Sequence, residues 1–150
     1  MVEKETRSPV NTVTFRLGVL GTWQEARYAE RLAGLELKPK HVALLSVLRI
    51  KGAESQLELA GVMRVAPSLV VQLADHLEAL GAIERVRDPA DRRRQRLTLT
   101  EDGVRLLDAA CGLAEALDEE LAAPLAPGER AALSRILEHL AAHTGLPVDG

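Results

Sequence analysis

The sequence predicts a mostly α fold with one small β-hairpin, and three observations predict it. Leu and Ala dominate an apolar fraction of 47%, while Phe15, Trp23 and Tyr28 are the only residues of their types, a composition that favours helix over strand. Apolar residues recur at three- and four-residue steps through most of the chain, the period of one helix face. The exception is the stretch 82–100, where alternation takes over on either side of the turn-rich DPADRR, as two half-buried strands require.

A chain of 150 residues is long enough for one domain with a real core and short for two. The single Cys111 cannot form an internal disulfide, so packing must hold the fold. No apolar run approaches the roughly 18 residues of a membrane span, and the polar start MVEKETRSPV lacks the apolar core of a signal peptide. A cytoplasmic protein is expected.

In order, a first helix is read from Val10 to Leu35, with Val13, Leu17, Leu20, Tyr28 and Leu32 at apolar positions. Pro39 suits the first turn of a second helix that ends at Lys51-Gly52. Ser55 and Glu58 form a capping box that starts a short third helix. Pro67 opens a fourth, whose Val70, Leu73, Leu77 and Leu80 define the packed face before Gly81. Its free face carries Ser68, Leu69, Val71, Gln72, Asp75 and His76. After the hairpin, Thr100 caps a fifth helix to about Leu121, and a sixth runs from Pro127 to about His143.

Two short helices joined by a tight turn form the unit whose second helix fits a DNA major groove. The hairpin behind it makes the arrangement a winged helix-turn-helix. Net charge is −3, which alone disfavours a nucleic-acid partner, yet 84–96 holds six arginines against three acids. That segregation is what a phosphate-binding surface needs.

The segment Ser55–Gly103, SQLELAGVMRVAPSLVVQLADHLEALGAIERVRDPADRRRQRLTLTEDG, resembles the winged-helix core of MarR-type regulators. A leucine-rich helix ending in LExxG precedes an IxR strand, a DPxDRR wing and an LTxxG helix start, and LxLKPxHxALLxVL upstream is similar to the family's second helix. The resemblance implies a sequence-specific, ligand-responsive transcriptional regulator, usually a repressor, that binds a pseudo-palindromic operator in double-stranded DNA as a homodimer. It also implies a single domain over 10–143, with a winged-helix core at about 37–100, dimerisation helices at about 10–35 and 101–143, and flexible tails at 1–9 and 144–150. Carried over residue by residue, it assigns Ser68, Leu69, Val71 and Gln72 to the major groove, His76 to the backbone beside it and Arg92, Arg93 and Arg94 to the wing tip. Asp91 is expected to orient a neighbouring arginine, and Asp75 to act likewise toward the wing.

Three departures stand out. Arg64 occupies a turn position where glycine is common, Ala66 stands where a capping serine is frequent, and Val71-Gln72 replaces a threonine-arginine step. The last removes a guanidinium suited to guanine and leaves an amide suited to adenine. Arg16, Trp23, Arg27 and His41 are candidates for an effector pocket, with plain dimer core the alternative for Trp23. Cys111 reads as a buried structural thiol. His139 and His143 share a helix face, but two ligands are too few for zinc. No metal, cofactor or enzymatic motif is read from the sequence. Two rivals stay open: a winged-helix protein-interaction module with weak, non-specific DNA binding, and a metal-responsive regulator.

Overall fold

The computed structural model describes residues 7–145, so the tails expected at 1–9 and 144–150 lie largely outside it. The described chain contains α1 (Val13–Leu32), α2 (Pro39–Lys51), α3 (Gln56–Met63), α4 (Pro67–Ala79), β1 (Ile83–Arg87), β2 (Gln95–Leu99), α5 (Glu101–Ala122) and α6 (Pro127–His143). No single helix among these is long and apolar enough to cross a membrane.

The first helix is shorter than its apolar pattern. Thr12 is extended and its hydroxyl accepts from Phe15 N at 3.1 Å, so the helix begins after it and Pro9–Asn11 forms a separate 3-10 turn. The other end tightens into a 3-10 turn at Ala33–Leu35, closed by Glu36 in the left-handed region at φ 58°. A hydroxyl cap at one end and a left-handed residue at the other override periodicity. The remaining helices start where caps or prolines place them. Ser55 and Glu58 exchange bonds of 2.8 and 3.1 Å, and Thr100 Oγ1 accepts from Gly103 N at 3.0 Å.

The core lies where α2, α3, α4 and the hairpin converge, around the fully buried Leu44, Leu45, Leu59, Leu77, Ile83 and Leu97. Each such side chain stabilises the fold by about 1.5–3 kcal/mol. The antiparallel strands pair Ile83 with Leu99 and Arg85 with Leu97, which turns the Ile83 and Leu97 side of the hairpin onto the core. Backbone bonds of 3.1 and 2.7 Å between Glu54 and Leu97 join the start of α3 to β2. On the opposite side α5 packs along α1 and α2, burying Leu107, Ala110 and Leu117. Tyr28 of α1 donates to the Ala110 carbonyl at 2.9 Å. Cys111, one position round from Ala110, is exposed, which corrects the expectation of a buried thiol. The apolar pattern of α5 is broader than the face that α1 and α2 cover.

Two helices leave apolar surface uncovered within the chain. No residue of α6 is buried, and Leu133, Ile136, Leu137 and Leu140 are exposed, as are Val13, Leu17, Leu20 and Trp23 on α1.

One close approach fixes the join between wing and α5. A β-carbon on Gly103 would lie 1.9 Å from the Ala82 carbonyl oxygen, the same oxygen that accepts from Thr100 N at 3.1 Å. Only glycine lets the helix start press this closely against the strand start. Gly103→Ala is therefore expected to destabilise the protein by about 3 kcal/mol, at the top of the range for overpacking, measured by urea denaturation. Gly112→Ala, on the same helix with open space around it, is expected to be neutral or stabilising.

Candidate nucleic-acid interface

The turn from α3 to α4 carries the strain expected of it. Arg64 sits at φ 53° in the left-handed region, a conformation costing a residue with a β-carbon roughly 1–2 kcal/mol. Its guanidinium donates to the Gly145 carbonyl just beyond α6 at 3.3 Å, so the side chain ties the turn to the end of α6, 81 positions away in sequence. Ala66 caps α4 without a side-chain bond, as its chemistry dictates, and Pro67 supplies the helical start.

Successive α4 residues turn by about 100°, which sorts its free residues into two groups. Ser68, Val71, Gln72 and Asp75 are exposed opposite the buried Val70, Ala74 and Leu77. Leu69 and His76 lie to one side. Leu69 is partly buried against the core. The His76 Nε2 pairs with the Glu36 carbonyl at 2.6 Å, and its ring stacks on His41 with centroids 4.5 Å apart. His76 is thus turned toward the α1–α2 connection, away from the ridge that would meet a DNA backbone.

Behind α4, Arg85 of β1 donates to Asp75 at 2.6 Å and pairs with Glu78 at 2.7 Å. The two carboxylates hold the Arg85 cation in place and raise its pKa against the opposing effect of burial. Asp75 therefore braces the wing against α4.

The wing loop is held by two aspartates. Asp88, almost fully buried, accepts from Ala90 N at 2.9 Å and pairs with Arg96 Nε at 3.1 Å. Backbone bonds of 2.9 Å link Asp88 N to Arg94 O and Arg94 N to Asp91 O. The Asp91 carboxylate accepts from Arg93 N at 3.0 Å and pairs with no guanidinium among the described residues. This corrects the role expected of Asp91: it shapes the backbone of the loop, and the aspartate that holds a guanidinium is Asp88, through Arg96. The signal for Asp88 was present in Asp-Pro-Ala, where an aspartate can accept from the amide two residues on. With both acids occupied, Arg92, Arg93 and Arg94 are exposed and belong to none of the ion pairs among the described residues.

The four proposed effector residues do not converge. Arg27 lies over the Trp23 ring at 5.5 Å, Trp23 borders a shallow depression with Phe15 and Val19, and Arg16 is exposed on the same helix. His41 lines a separate cavity of about 930 Å³ between the α1–α2 connection and α4, together with Lys38, Leu69, Gln72 and His76. Alternation of polar and apolar residues on α1 could not show which face met the cavity. His139 and His143 lie exposed on α6, and no group of three or more metal-ligating side chains occurs among the described residues.

The MarR family model matches residues 37–94. Transcriptional regulator HosA of Escherichia coli is 30% identical over 105 residues, covering 70% of this chain and 76% of HosA. The HTH-type transcriptional repressor NicR of Pseudomonas putida is 33% identical over 96 residues, 64% of this chain; the match spans only 61% of NicR. In fold, reduced MarR from E. coli superposes with a TM-score of 0.79 at 22% identity, covering 89% of this chain and 98% of that one. BpsR of Bordetella bronchiseptica, whose DNA binding is regulated by 6-hydroxynicotinic acid, superposes with a TM-score of 0.73 at 24% identity, covering 90% and 96%.

The His41 environment has a measurable consequence. Its Nδ1 accepts from Lys38 N at 2.9 Å, and burial, then His76 and Lys38, lowers its pKa from 6.5 to about 4. The unfolded chain takes up this proton first, so stability is full above pH 6.5 and falls as pH drops toward 4. Denaturation at pH 7 and pH 5 is expected to show a stability loss in the native chain that His41→Gln reduces; an equal loss in both would remove His41 as its source.

Proposed function

The chain belongs to the MarR family, and we propose that it is a sequence-specific DNA-binding transcriptional repressor, acting in the cytoplasm as a ligand-responsive homodimer. The observation that carries this reading is the wing: three arginines without acidic partners among the described residues, on a loop braced to the helix whose exposed ridge would enter a major groove. Guanidinium groups are planar, permanently charged and weakly hydrated, which suits a narrow minor groove and its flanking phosphates.

In this reading Ser68, Val71 and Gln72 meet base edges and Leu69 borders them, with Gln72 suited to adenine. His76 serves the protein's own packing. The uncovered apolar faces of α1 and α6 meet their counterparts in a second copy, since exposed leucine and isoleucine on both helices need cover. Two α4 helices then reach successive major grooves about 10 base pairs apart on a pseudo-palindromic operator. The cavity beside His41 lies in the size range of small-ligand sites, which supports a small-molecule effector; BpsR makes an aromatic acid the first class to try.

Fluorescence anisotropy tests the reading, using a duplex from upstream of the protein's own gene and a scrambled control over a salt series. Discrimination of about a thousandfold or more is expected. The salt slope of Arg92→Ala/Arg93→Ala/Arg94→Ala should fall by about 1 for each phosphate that the wing no longer neutralises. Equal, weak binding across genomic fragments would favour an interaction module instead. In sedimentation, the native chain is expected as a dimer and Leu20→Asp/Leu137→Asp as a monomer; an unchanged mass would exclude these faces as the interface.

A further inference from the structure

The cavity and the exposed ridge of α4 share a border, and the border is one residue. Leu69, Gln72, Leu73 and His76 follow one another at helical spacing along the cavity wall. Ser68, Val71, Gln72 and Asp75 form the ridge on the solvent side. Gln72 alone belongs to both rows. The opposite wall comes from Glu25, Ala29, Ala33 and the Glu36–His41 segment.

The two histidines facing this space are already engaged, His76 on the α4 wall and His41 opposite it. His76 is bonded to the Glu36 carbonyl, and His41 accepts from Lys38 N while stacking on His76. The far side carries exposed charges of both signs, Glu25 and Glu36 with Lys38 and Lys40. The Gln72 carboxamide takes part in none of the side-chain hydrogen bonds to its neighbours on the helix or across the cavity. It keeps two donors and an acceptor to offer, and it can offer them in one direction at a time.

We propose that small-molecule occupancy of this cavity and base reading by α4 exclude each other through Gln72. A molecule with an apolar body against Ala29, Ala33 and Leu73 and a hydrogen-bonding edge toward α4 draws the carboxamide inward, and the amide is then lost to DNA. This deepens the proposed function and rests on it. It differs from a mechanism in which a ligand alters the spacing of the two DNA-binding lobes, because spacing would act whatever residue stood at position 72. One bidentate amide–base pair corresponds to about 5- to 150-fold in affinity, and that is the size of the effect assigned to occupancy.

Covalent filling tests this without knowing the natural ligand. Ala33 is exposed at the cavity wall, so Ala33→Cys in a Cys111→Ser background can be labelled with a benzamide-bearing methanethiosulfonate. Ala29→Cys gives a second attachment point on the same wall. Circular dichroism and dimer mass establish that each adduct is folded. Labelling is expected to lower affinity for the specific duplex by about 5- to 150-fold, to leave scrambled-duplex binding unchanged, and to cost less than about twofold when Gln72→Ala is already present. No loss on labelling at either position overturns the inference. An equal loss with and without Gln72 also overturns it in favour of lobe spacing, while the DNA-reading function stands. A folded, unlabelled protein that discriminates no duplex overturns both.

Discussion

Arg85 spans the gap between the helix that would read DNA and the wing beside it, and the functional surface depends on how it is held. Its side chain reaches Asp75 and Glu78 on successive turns of α4 from the middle of β1. The pair energies are modest, since both carboxylates are substantially exposed and such bridges contribute about 1 kcal/mol or less each. Burial of Leu77, Ile83 and Leu97 beneath them contributes several times more. The core therefore holds the hairpin against α4, and the two-carboxylate clamp sets the angle at which it is held. A hairpin of two strands is marginal alone, and its other attachments follow the same logic: Glu54 extends the sheet, and the close approach of Gly103 to Ala82 joins its base to α5.

The same economy of charge operates in the loop. Three acids, Asp75, Asp88 and Asp91, lie close to the arginine cluster, and each is committed to holding protein rather than neutralising the wing tip. Asp88 is the most deeply placed, and its bonds to Ala90 and Arg96 close the loop from within. Net negative charge overall and a cationic tip are compatible because the acids nearest the tip are spent on geometry. Long-range repulsion from the rest of the molecule is screened beyond about 8 Å at physiological salt.

Much of this was legible in the sequence. Capping chemistry placed the starts of α3 and α5, prolines placed those of α2, α4 and α6, and alternation around DPADRR gave the hairpin. Those signals are local, and local signals survive folding. What escaped reading was the choice of partner. Periodicity marks an apolar face on α1, α5 and α6 without saying what covers it, so it places Cys111 inside and leaves Trp23 open between dimer core and a pocket with His41. Asp88 and Asp91 have the same chemistry three residues apart, and only loop geometry separates the one that meets a guanidinium from the one that meets main chain. His76 shares helical register with the exposed ridge closely enough to be grouped with it, yet the left-handed Glu36 brings a carbonyl within its reach. Arg64 was readable as a strained residue, but its bond to Gly145 joins positions far apart in sequence.

Braced through Arg85, α4 and the wing are expected to engage DNA together, as one unit. Hydroxyl-radical footprinting of the bound duplex tests this directly, because the radical attacks the backbone along the minor groove. Protection is predicted at two minor-groove patches flanking a central region, symmetric about the operator centre. Arg85→Ala is predicted to weaken those flanking patches while the central footprint persists, since the wing tip keeps its arginines but loses its bearing on α4. Flanking protection that is absent in the native complex, or unaltered by loss of Arg85, would contradict joint engagement.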